Sequence, residues 1–269
     1  MAHKLEQRDF HRLKDHIKQR YGINLEKKIT LVEGRLANLI SHRGFPDFTT
    51  YIDYALAHPE EEALLVSRLS TNFTYFMREE QHYGFMVERA LPEWIPRIKD
   101  RDLRIWSAGC SSGEEAYTIA MTLNEYFGAQ KAQWDTTVLA TDISERVLHM
   151  AKQAVYPADE MRNLPESYKK HYFHPAGEGV FQVTKSVRDD VVFGNFNLMQ
   201  PTFSFRRRFH IIFCRNVMIY FDNPTKENLV NKFYDCLHPG GYLFVGMSET
   251  LSGIRSDFQY VKPAIYRRG

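Results

Sequence analysis

The sequence predicts an α/β fold with a mostly parallel sheet and a terminal antiparallel hairpin, plus an N-terminal helical domain and a small inserted β subdomain. Three observations lead to this prediction. From residue 103 onward, short apolar runs alternate with helical patterns, as in a parallel sheet covered on both faces. Residues 1–90 show helical spacing alone. Between residues 156 and 190, prolines and glycines interrupt the alternation.

These observations divide the chain into a helical domain at 1–90, a sheet domain at 91–269 and an insertion at 156–190. Two amphipathic helices open the helical domain, with apolar residues at Phe10, Leu13, Ile17 and Tyr21 and then at Ile29, Val32, Leu36, Leu39 and Ile40. The helical pattern continues over residues 49–57, 60–69 and 79–98. A linker is predicted near residues 92–102.

Five strands are predicted for the sheet, over residues 103–106, 136–141, 191–195, 209–214 and 241–246. Residues 180–183 are predicted as a short exposed strand of the insertion. Residues 260–266 are predicted as a last strand that pairs as a hairpin. A terminal hairpin on a parallel sheet is more typical of methyltransferases than of dehydrogenases.

Composition narrows the class of protein. The chain has 269 residues and 43% hydrophobic content, enough for a full core. It contains no run of about 20 apolar residues that would span a bilayer, and its first ten residues are polar, so we expect a cytoplasmic protein without membrane insertion. The three cysteines lie far apart, without metal-ligand spacing, which predicts buried reduced thiols and no metal site.

The net charge of +2 argues against general nucleic-acid binding, but the charge is unevenly distributed. Residues 1–45 hold ten Lys or Arg against five acids, so this segment carries +5 and the remainder −3. A basic module of this kind favours an acidic partner surface, and a solvated helical face is the alternative. The second helix carries the four cations predicted to recognise the substrate: Lys27, Lys28, Arg35 and Arg43.

Residues 105–115 are typical of a cofactor loop. A short apolar strand leads into a turn that contains Gly109 and Gly113, which would let the backbone pass close to a ligand. A diphosphate commonly binds at the helix start of such loops. Here Glu114 and Glu115 would repel a phosphate and suit a positively charged ligand, such as the sulfonium of S-adenosylmethionine. An ordinary strand-to-helix connection is the alternative.

Polar residues end the next three strands. Asp142 follows the second strand, where nucleoside-binding sheets accept hydrogen bonds from ribose hydroxyls. Asn197 follows the third strand, and Arg215 and Asn216 follow the fourth. Because ligands of open α/β sheets bind outside the carboxyl ends of the strands, these residues are expected to face one cleft. A helix N-cap at Asp142 and a turn asparagine at Asn197 are the alternatives.

Six segments carry a pattern that covers nearly the whole chain in order: residues 72–78, 107–115, 141–143, 196–198, 212–221 and 237–241. Together they resemble the CheR family, the chemotaxis receptor methyltransferases. The resemblance implies a class I methyltransferase (Rossmann-like) fold. It also implies methylation of glutamate carboxylates on the cytoplasmic helical domain of chemoreceptors, with S-adenosylmethionine as methyl donor and S-adenosylhomocysteine as product. We expect a monomer that binds no nucleic acid.

The resemblance also implies roles for individual residues. Those matching cofactor-contacting positions are Asn72, Thr74, Arg78, Ala108, Gly109, Glu115, Asp142, Asn197, Leu198, Arg215 and Asn216. Arg78 and Tyr220 match positions near the transferred methyl group. A salt bridge between domains for Arg78 and a core position for Tyr220 are the alternatives. Some family members dock a receptor tail on the inserted subdomain, but the loop at residues 174–179 is short here, which favours recognition through the basic helices.

The chemistry expected for a glutamate substrate is mainly positional. A glutamate has a pKa of about 4.3, so the nucleophile is already ionised at neutral pH and needs no general base. Alignment of oxygen, methyl carbon and sulfur in a dry cleft can lower the barrier by roughly 7–11 kcal/mol. Three other functions remain open: a methyltransferase for a small molecule or RNA, a non-enzymatic cofactor-binding sensor and, less favoured by Glu114 and Glu115, a nicotinamide dehydrogenase.

Overall fold

The computed structural model describes residues 4–269, so the first three residues of the predicted helical domain lie outside the described residues. The chain begins with four helices: α1 Gln7–Tyr21, α2 Ile29–His42, α3 Phe48–Ala57 and α4 Pro59–Leu69. Gly22 ends α1 in the left-handed conformation, and the Asp47 side chain caps α3 by accepting a hydrogen bond from the Thr50 amide. The predicted N-terminal helical region is confirmed.

A second helical run spans residues 81–97. It comprises α5 Gln81–Phe85, a π-turn at Met86–Ala90, α6 Leu91–Trp94 and a 3₁₀ turn at Ile95–Arg97. Pro92 therefore lies inside this run and not in a linker, because it occupies the first turn of α6, where no amide donor is needed. Side chains of the run pack with the large sheet, which supports the proposal that it belongs with the sheet domain. The predicted boundary near residue 90 stays a prediction.

Seven strands form the large sheet in the order β6-β2-β1-β7-β8-β10-β9. Their bounds are β1 Ile105–Ala108, β2 Val138–Asp142, β6 Val191–Asn195, β7 Phe209–Cys214, β8 Leu237–Val245, β9 Phe258–Lys262 and β10 Ile265–Arg268. The first five strands of the order pair in parallel, and β8, β10 and β9 pair antiparallel, as predicted. The single strand predicted at 260–266 is wrong, since Pro263 and Ala264 form the turn between β9 and β10.

The insertion folds as a separate three-stranded antiparallel sheet, which confirms the small β subdomain. It contains β3 Val155–Pro157, β4 Phe173–Gly177 and β5 Val180–Val183, with β5 in the centre, and α9 Glu166–Tyr172 precedes β4. The remaining helices connect the strands of the large sheet: α7 Glu114–Phe127, α8 Glu145–Gln153, α10 Lys185–Asp189 and α11 Asn223–Cys236. Among the described residues, no helix is long and apolar enough to cross a membrane.

Alternating residues of the central strands build two apolar cores, one on each face of the large sheet. Trp106 and Ile212 pack with α11 and with the N-terminal helices, whereas Ile105 and Phe213 pack with α7 and the run at 81–97. The N-terminal helices thus share a core with the sheet. This packing holds them beside the carboxyl ends of β1 and β7, between which the strand order reverses.

Candidate active site

The turn after β1 needs its glycines. Gly109 has φ of 90°, and a Cβ there would lie 2.4 Å from Cγ2 of Val217. Gly113 has φ of 101°, and a Cβ there would lie 2.9 Å from the Cβ of Ala151. At both positions the backbone is left-handed and a neighbouring segment leaves no room for a side chain, so glycine is required. The turn leads into α7 and lies at the edge of a cleft.

This cleft opens at the carboxyl ends of the strands, where the strand order reverses, and encloses about 980 Å³ of empty space that continues into solvent. One wall is formed by residues 70–80, a segment without helix or strand that follows α4 and turns at residues 76–80, and that we call the strap. Eleven predicted site residues line the cleft: Asn72, Thr74, Arg78, Gly109, Glu115, Asp142, Asn197, Leu198, Arg215, Asn216 and Tyr220. Ala108, the last residue of β1, does not line the cleft, because its side chain is buried in the apolar core that the sheet shares with the N-terminal helices.

Asp142 ends β2 with its carboxylate buried at the cleft wall. One oxygen accepts a hydrogen bond from the Ser111 amide at 3.0 Å, and the other accepts one from the Ser144 amide at 2.9 Å. Burial raises the pKa of Asp142, although these amide donors oppose the shift. Each carboxylate oxygen retains a lone pair, so Asp142 can accept further hydrogen bonds from hydroxyl groups in the cleft.

Arg215 is the centre of a buried ionic cluster. Its Nε and Nη2 lie 3.3 Å from Oε2 of Glu79, and its Nη1 donates to the Tyr83 hydroxyl at 2.9 Å and to Glu115 at 3.1 Å. Nη2 also donates to the Arg78 carbonyl oxygen. These contacts use all five donors of the guanidinium. The geometry therefore supports a role for the Arg215 side chain in positioning its neighbours, and the predicted contact of Arg215 with the cofactor stays a prediction.

The cluster has a definite charge balance. Burial alone would lower the pKa of Arg215, but Tyr83, Glu115 and Glu79 outweigh it, so the pKa is raised and the guanidinium stays charged. Burial raises the pKa of Glu115, and Arg215 opposes that shift. With both glutamates ionised, two carboxylates surround one guanidinium. One net negative charge then lies beside the cleft, complementary to a cationic ligand.

Sequence reasoning missed Glu79 and Glu249. Besides Arg215, Glu79 accepts hydrogen bonds from the Met247 amide at 3.2 Å and from the Asn216 side chain at 3.4 Å. Glu249 is buried and accepts from the amides of Asn216, Ile219 and Gly246. Glu79 therefore ties the strap to the loop after β7, and Glu249 ties that loop to the end of β8. No local sequence pattern marks either residue.

Four non-glycine residues around the cleft have left-handed backbones: Met77, Glu79, Ser111 and Asn216, with φ between 51° and 58°. Asparagine tolerates this conformation, but the other three residue types adopt it rarely. Such strain persists where surrounding contacts fix the backbone, and it concentrates at functional sites. Here the ionic cluster and Glu249 hold Glu79 and Asn216, the Asp142 carboxylate holds the Ser111 amide, and the Thr118 hydroxyl holds the Met77 amide.

The other predicted site residues differ in how freely they face the cleft. The Asn197 amide group is already used, since it donates to the Arg20 carbonyl and accepts from the Met199 amide. The Tyr220 hydroxyl lies 3.4 Å from the Thr71 carbonyl of the strap. Arg78 is half-buried and donates to the Phe73 carbonyl at 2.7 Å, which leaves most of its guanidinium donors available at the cleft.

Glu114 does not share the cleft with Glu115, so the sequence expectation that both face a cationic ligand does not hold. Its buried carboxyl group accepts from the Ser112 hydroxyl and faces Glu160 beside the β subdomain. This follows from helical geometry, which turns successive residues of α7 by about 100°. Burial raises the pKa of Glu114 to about 8, and the neighbouring Glu160 contributes to the shift.

We expect this buried carboxyl to make stability depend on pH. The folded chain keeps the Glu114 proton up to about pH 8, whereas the unfolded chain loses it near pH 4.5. The folded state binds more protons in that window, so stability falls as pH rises, by at most about 1.4 kcal/mol per pH unit from this group. Urea unfolding of Glu114→Gln between pH 5 and 9 should give a shallower slope.

The exposed Glu166→Gln is the matched control, because Lys169 lowers the pKa of Glu166. It should retain the wild-type slope over the same range. Equal slopes for wild type and Glu114→Gln would show that Glu114 is not protonated in the folded state at neutral pH.

The four predicted substrate-recognition residues lie away from the cofactor cleft and differ in their contacts. Arg35 donates to the Leu69 carbonyl and to the Thr71 hydroxyl, so it supports the start of the strap. Arg43 pairs with Glu61 at 3.0 Å. Within residues 4–269, Lys27 and Lys28 form no ion pair, which leaves both ammonium groups available.

The fold and the site together define a class of protein. A parallel sheet with a terminal antiparallel hairpin, a glycine turn after β1 and a buried acid at the end of β2 are the features of an S-adenosylmethionine-dependent methyltransferase.

Comparison with known proteins identifies the family. The CheR methyltransferase all-alpha domain matches residues 8–70, and the CheR methyltransferase SAM binding domain matches residues 72–266. A chemotaxis protein methyltransferase of Borreliella burgdorferi is 43% identical over 92% of this chain and 89% of that protein. One from Escherichia coli is 34% identical over 96% of this chain and 89% of its own length. The chain belongs to the CheR methyltransferase family.

The residues of the cleft fit S-adenosylmethionine, the cofactor of this family's SAM binding domain. Asp142 retains acceptors for hydroxyl groups, and the Glu79–Arg215–Glu115 cluster places net negative charge near a sulfonium or ammonium. When bound, the cofactor supplies the methyl group. The residues that line the cleft would bind the cofactor and orient it.

Proposed function

We propose that the chain transfers the methyl group of S-adenosylmethionine to glutamate side chains on cytoplasmic helices of chemoreceptors, forming methyl esters for sensory adaptation. Its relatives are named chemotaxis protein methyltransferases, which supports methylation within chemotaxis. The proposal places the protein in the cytoplasm, where those receptor helices lie.

One observation carries the proposal: the cleft offers no free general base. Among the described residues that line it, none is histidine or lysine. Burial raises the pKa of Cys110 well above its ordinary value, Glu115 is paired with Arg215, and the free lone pairs of Asp142 are those we assign to the cofactor hydroxyls. A hydroxyl or ammonium substrate would need such a base. A glutamate, with a pKa of about 4.3, arrives ionised.

Arg78 is suited to orient that glutamate. It lies at the cleft with most of its guanidinium donors available, and its planar fork matches a carboxylate. A tight two-point contact would also stabilise the charge that the reaction consumes. We therefore assign Arg78 to positioning, and Tyr220 to orientation through its hydroxyl. Neither residue transfers a proton in this scheme.

The direct test uses S-adenosylmethionine labelled in the methyl group, with a membrane fraction that contains chemoreceptors. We expect label in the receptor bands that mild alkali releases as methanol, because carboxyl methyl esters are base-labile. Receptors whose methyl-accepting glutamates are changed to alanine serve as the control substrate. Alkali-stable label would contradict a glutamate ester.

We expect the free lysines before α2 to help recruit the substrate electrostatically. Lys27→Gln with Lys28→Gln should raise the KM for receptor membranes roughly three- to tenfold at low salt, and the difference should shrink at high salt because screening weakens exposed charges. Lys152→Gln with Lys170→Gln removes two exposed lysines elsewhere and is the matched control. A salt-independent effect would rule out electrostatic docking.

A further inference from the structure

Three large apolar side chains are exposed on segments that line the cleft or contact the residues beside it. Phe73 is 64% exposed, Ile219 is 46% exposed and Met247 is 42% exposed. Phe73 lies on the strap, Ile219 directly precedes Tyr220, and the Met247 amide donates to Glu79 beside Arg78. Single exposed apolar residues are ordinary on a protein surface. Hydrogen bonds join the segments that carry these three, since Met247 contacts Glu79 of the strap and Glu249 bridges Ile219 and Gly246, which brings the three backbones together beside the cleft.

Two of the three side chains stand on a rigid backbone. The Ile219 amide donates to Oε1 of Glu249 at 3.0 Å, while the Gly246 amide, next to Met247, donates to Oε2. One buried carboxylate therefore fixes the two segments against each other. Because the backbone of these segments is already fixed, binding has no backbone entropy to remove there, which lowers the cost of forming a contact surface.

We propose that Phe73, Ile219 and Met247 form an apolar rim that packs against the substrate helix beside the target glutamate. This inference rests on the proposed function and adds a specificity element to it. We assign the rim to a helical segment of the substrate that carries uncharged apolar side chains one turn from the target glutamate. On a helix such positions lie about 5–6 Å from the glutamate, so they meet the rim when the carboxylate enters the cleft.

The position of the rim supports this occupant. Arg35 of α2 contacts Thr71 of the strap, and the Tyr220 hydroxyl contacts the carbonyl of the same residue. Contacts therefore run from Arg35 of α2 through Thr71 to Tyr220, the residue after Ile219. A helix with both acidic and apolar positions would be complementary to cationic and apolar groups placed in this way. If charged side chains flanked a glutamate, binding would remove water from those charges at the apolar rim. This desolvation cost would disfavour methylation of such a glutamate.

The decisive variant is Ile219→Ser combined with Met247→Ser, because neither side chain lines the cofactor cleft. We expect a KM for receptor membranes on the order of tenfold higher, from the loss of buried apolar area, with kcat and S-adenosylhomocysteine affinity near wild type. Val192→Ser combined with Tyr260→Ser removes comparably exposed apolar groups at the two edges of the sheet and should leave KM unchanged.

Measurements at high salt distinguish the contribution of the rim to substrate binding from that of Lys27 and Lys28. The KM increase of the rim variant should persist at high salt, whereas that of the lysine variant should shrink. Wild-type transfer to receptors together with an unchanged KM in the rim variant would overturn the rim alone. Failure of the wild-type protein to form base-labile esters on receptors would overturn the proposed function and the rim with it.

Discussion

Replacing Asp142 with alanine should weaken S-adenosylhomocysteine binding by roughly 100- to 1000-fold, the equivalent of two charge-assisted hydrogen bonds worth about 3–4 kcal/mol in total. Asp142 holds its carboxylate at the cleft wall and uses only one lone pair of each oxygen for the Ser111 and Ser144 amides. The remaining acceptors are those we assign to the ribose hydroxyls. Isothermal titration calorimetry measures the change directly.

The same substitution also removes the acceptors of two backbone amides, so stability must be measured in parallel. Asp142→Asn keeps one acceptor oxygen and should recover part of the affinity. Asp135→Ala is the matched control, because Asp135 precedes the same strand and accepts from the Thr137 amide at 3.0 Å, away from the cleft. It should lose stability without losing affinity. Unchanged affinity in a folded Asp142→Ala protein would contradict the assignment of Asp142 to the cofactor.

Much of the fold could be predicted because its signals are local. Buried parallel strands appear as short continuous apolar runs, and the amphipathic N-terminal helices repeat at helical spacing. The wrong details also have local causes. The predicted linker fails at Pro92 because the first turn of α6 accommodates a proline, and the predicted strand at 260–266 fails because Pro263 starts a hairpin turn.

The cleft could be predicted only in part. Strand topology brings Asp142, Asn197 and Asn216 to one edge, so residues that end strands were found from their positions alone. Glu79 and Glu249 were not found, because their function depends on contacts between separate segments. Arg215 and Glu79 are 136 residues apart, and no pattern within either segment indicates that they meet. The role of Arg215 changed for the same reason, since only the structure shows that its donors are all used.

The largest combined effect on stability and activity is expected at Arg215. Arg215→Met should lower the free energy of unfolding by about 3–5 kcal/mol, because it leaves Glu79 and Glu115 without their buried counter-charge. Methyl transfer should fall below detection, since the Arg215 guanidinium no longer holds the strap against the loop after β7. Chemical denaturation and labelled methyl transfer on the same preparation measure the two losses.

Two further variants separate stability from positioning. Arg215→Lys keeps the positive charge, but one ammonium cannot reproduce the five-donor fork that reaches Tyr83, Arg78 and both glutamates, so it should regain stability in part and activity little. Combining Arg215→Met with Glu79→Gln and Glu115→Gln removes the unbalanced charges altogether. This triple variant should unfold within about 1–2 kcal/mol of wild type, because neutral side chains cost far less to bury.

If the cluster served stability alone, the triple variant would recover methyl transfer as it recovered the fold. If the cluster positions the cleft, the triple variant should be stable and inactive, since the guanidinium that joins Glu79, the Arg78 carbonyl and Glu115 is gone. Active transfer by either Arg215→Met or the triple variant would therefore refute the positioning role. Stability without activity would show that the charged cluster serves the cleft and not the fold alone.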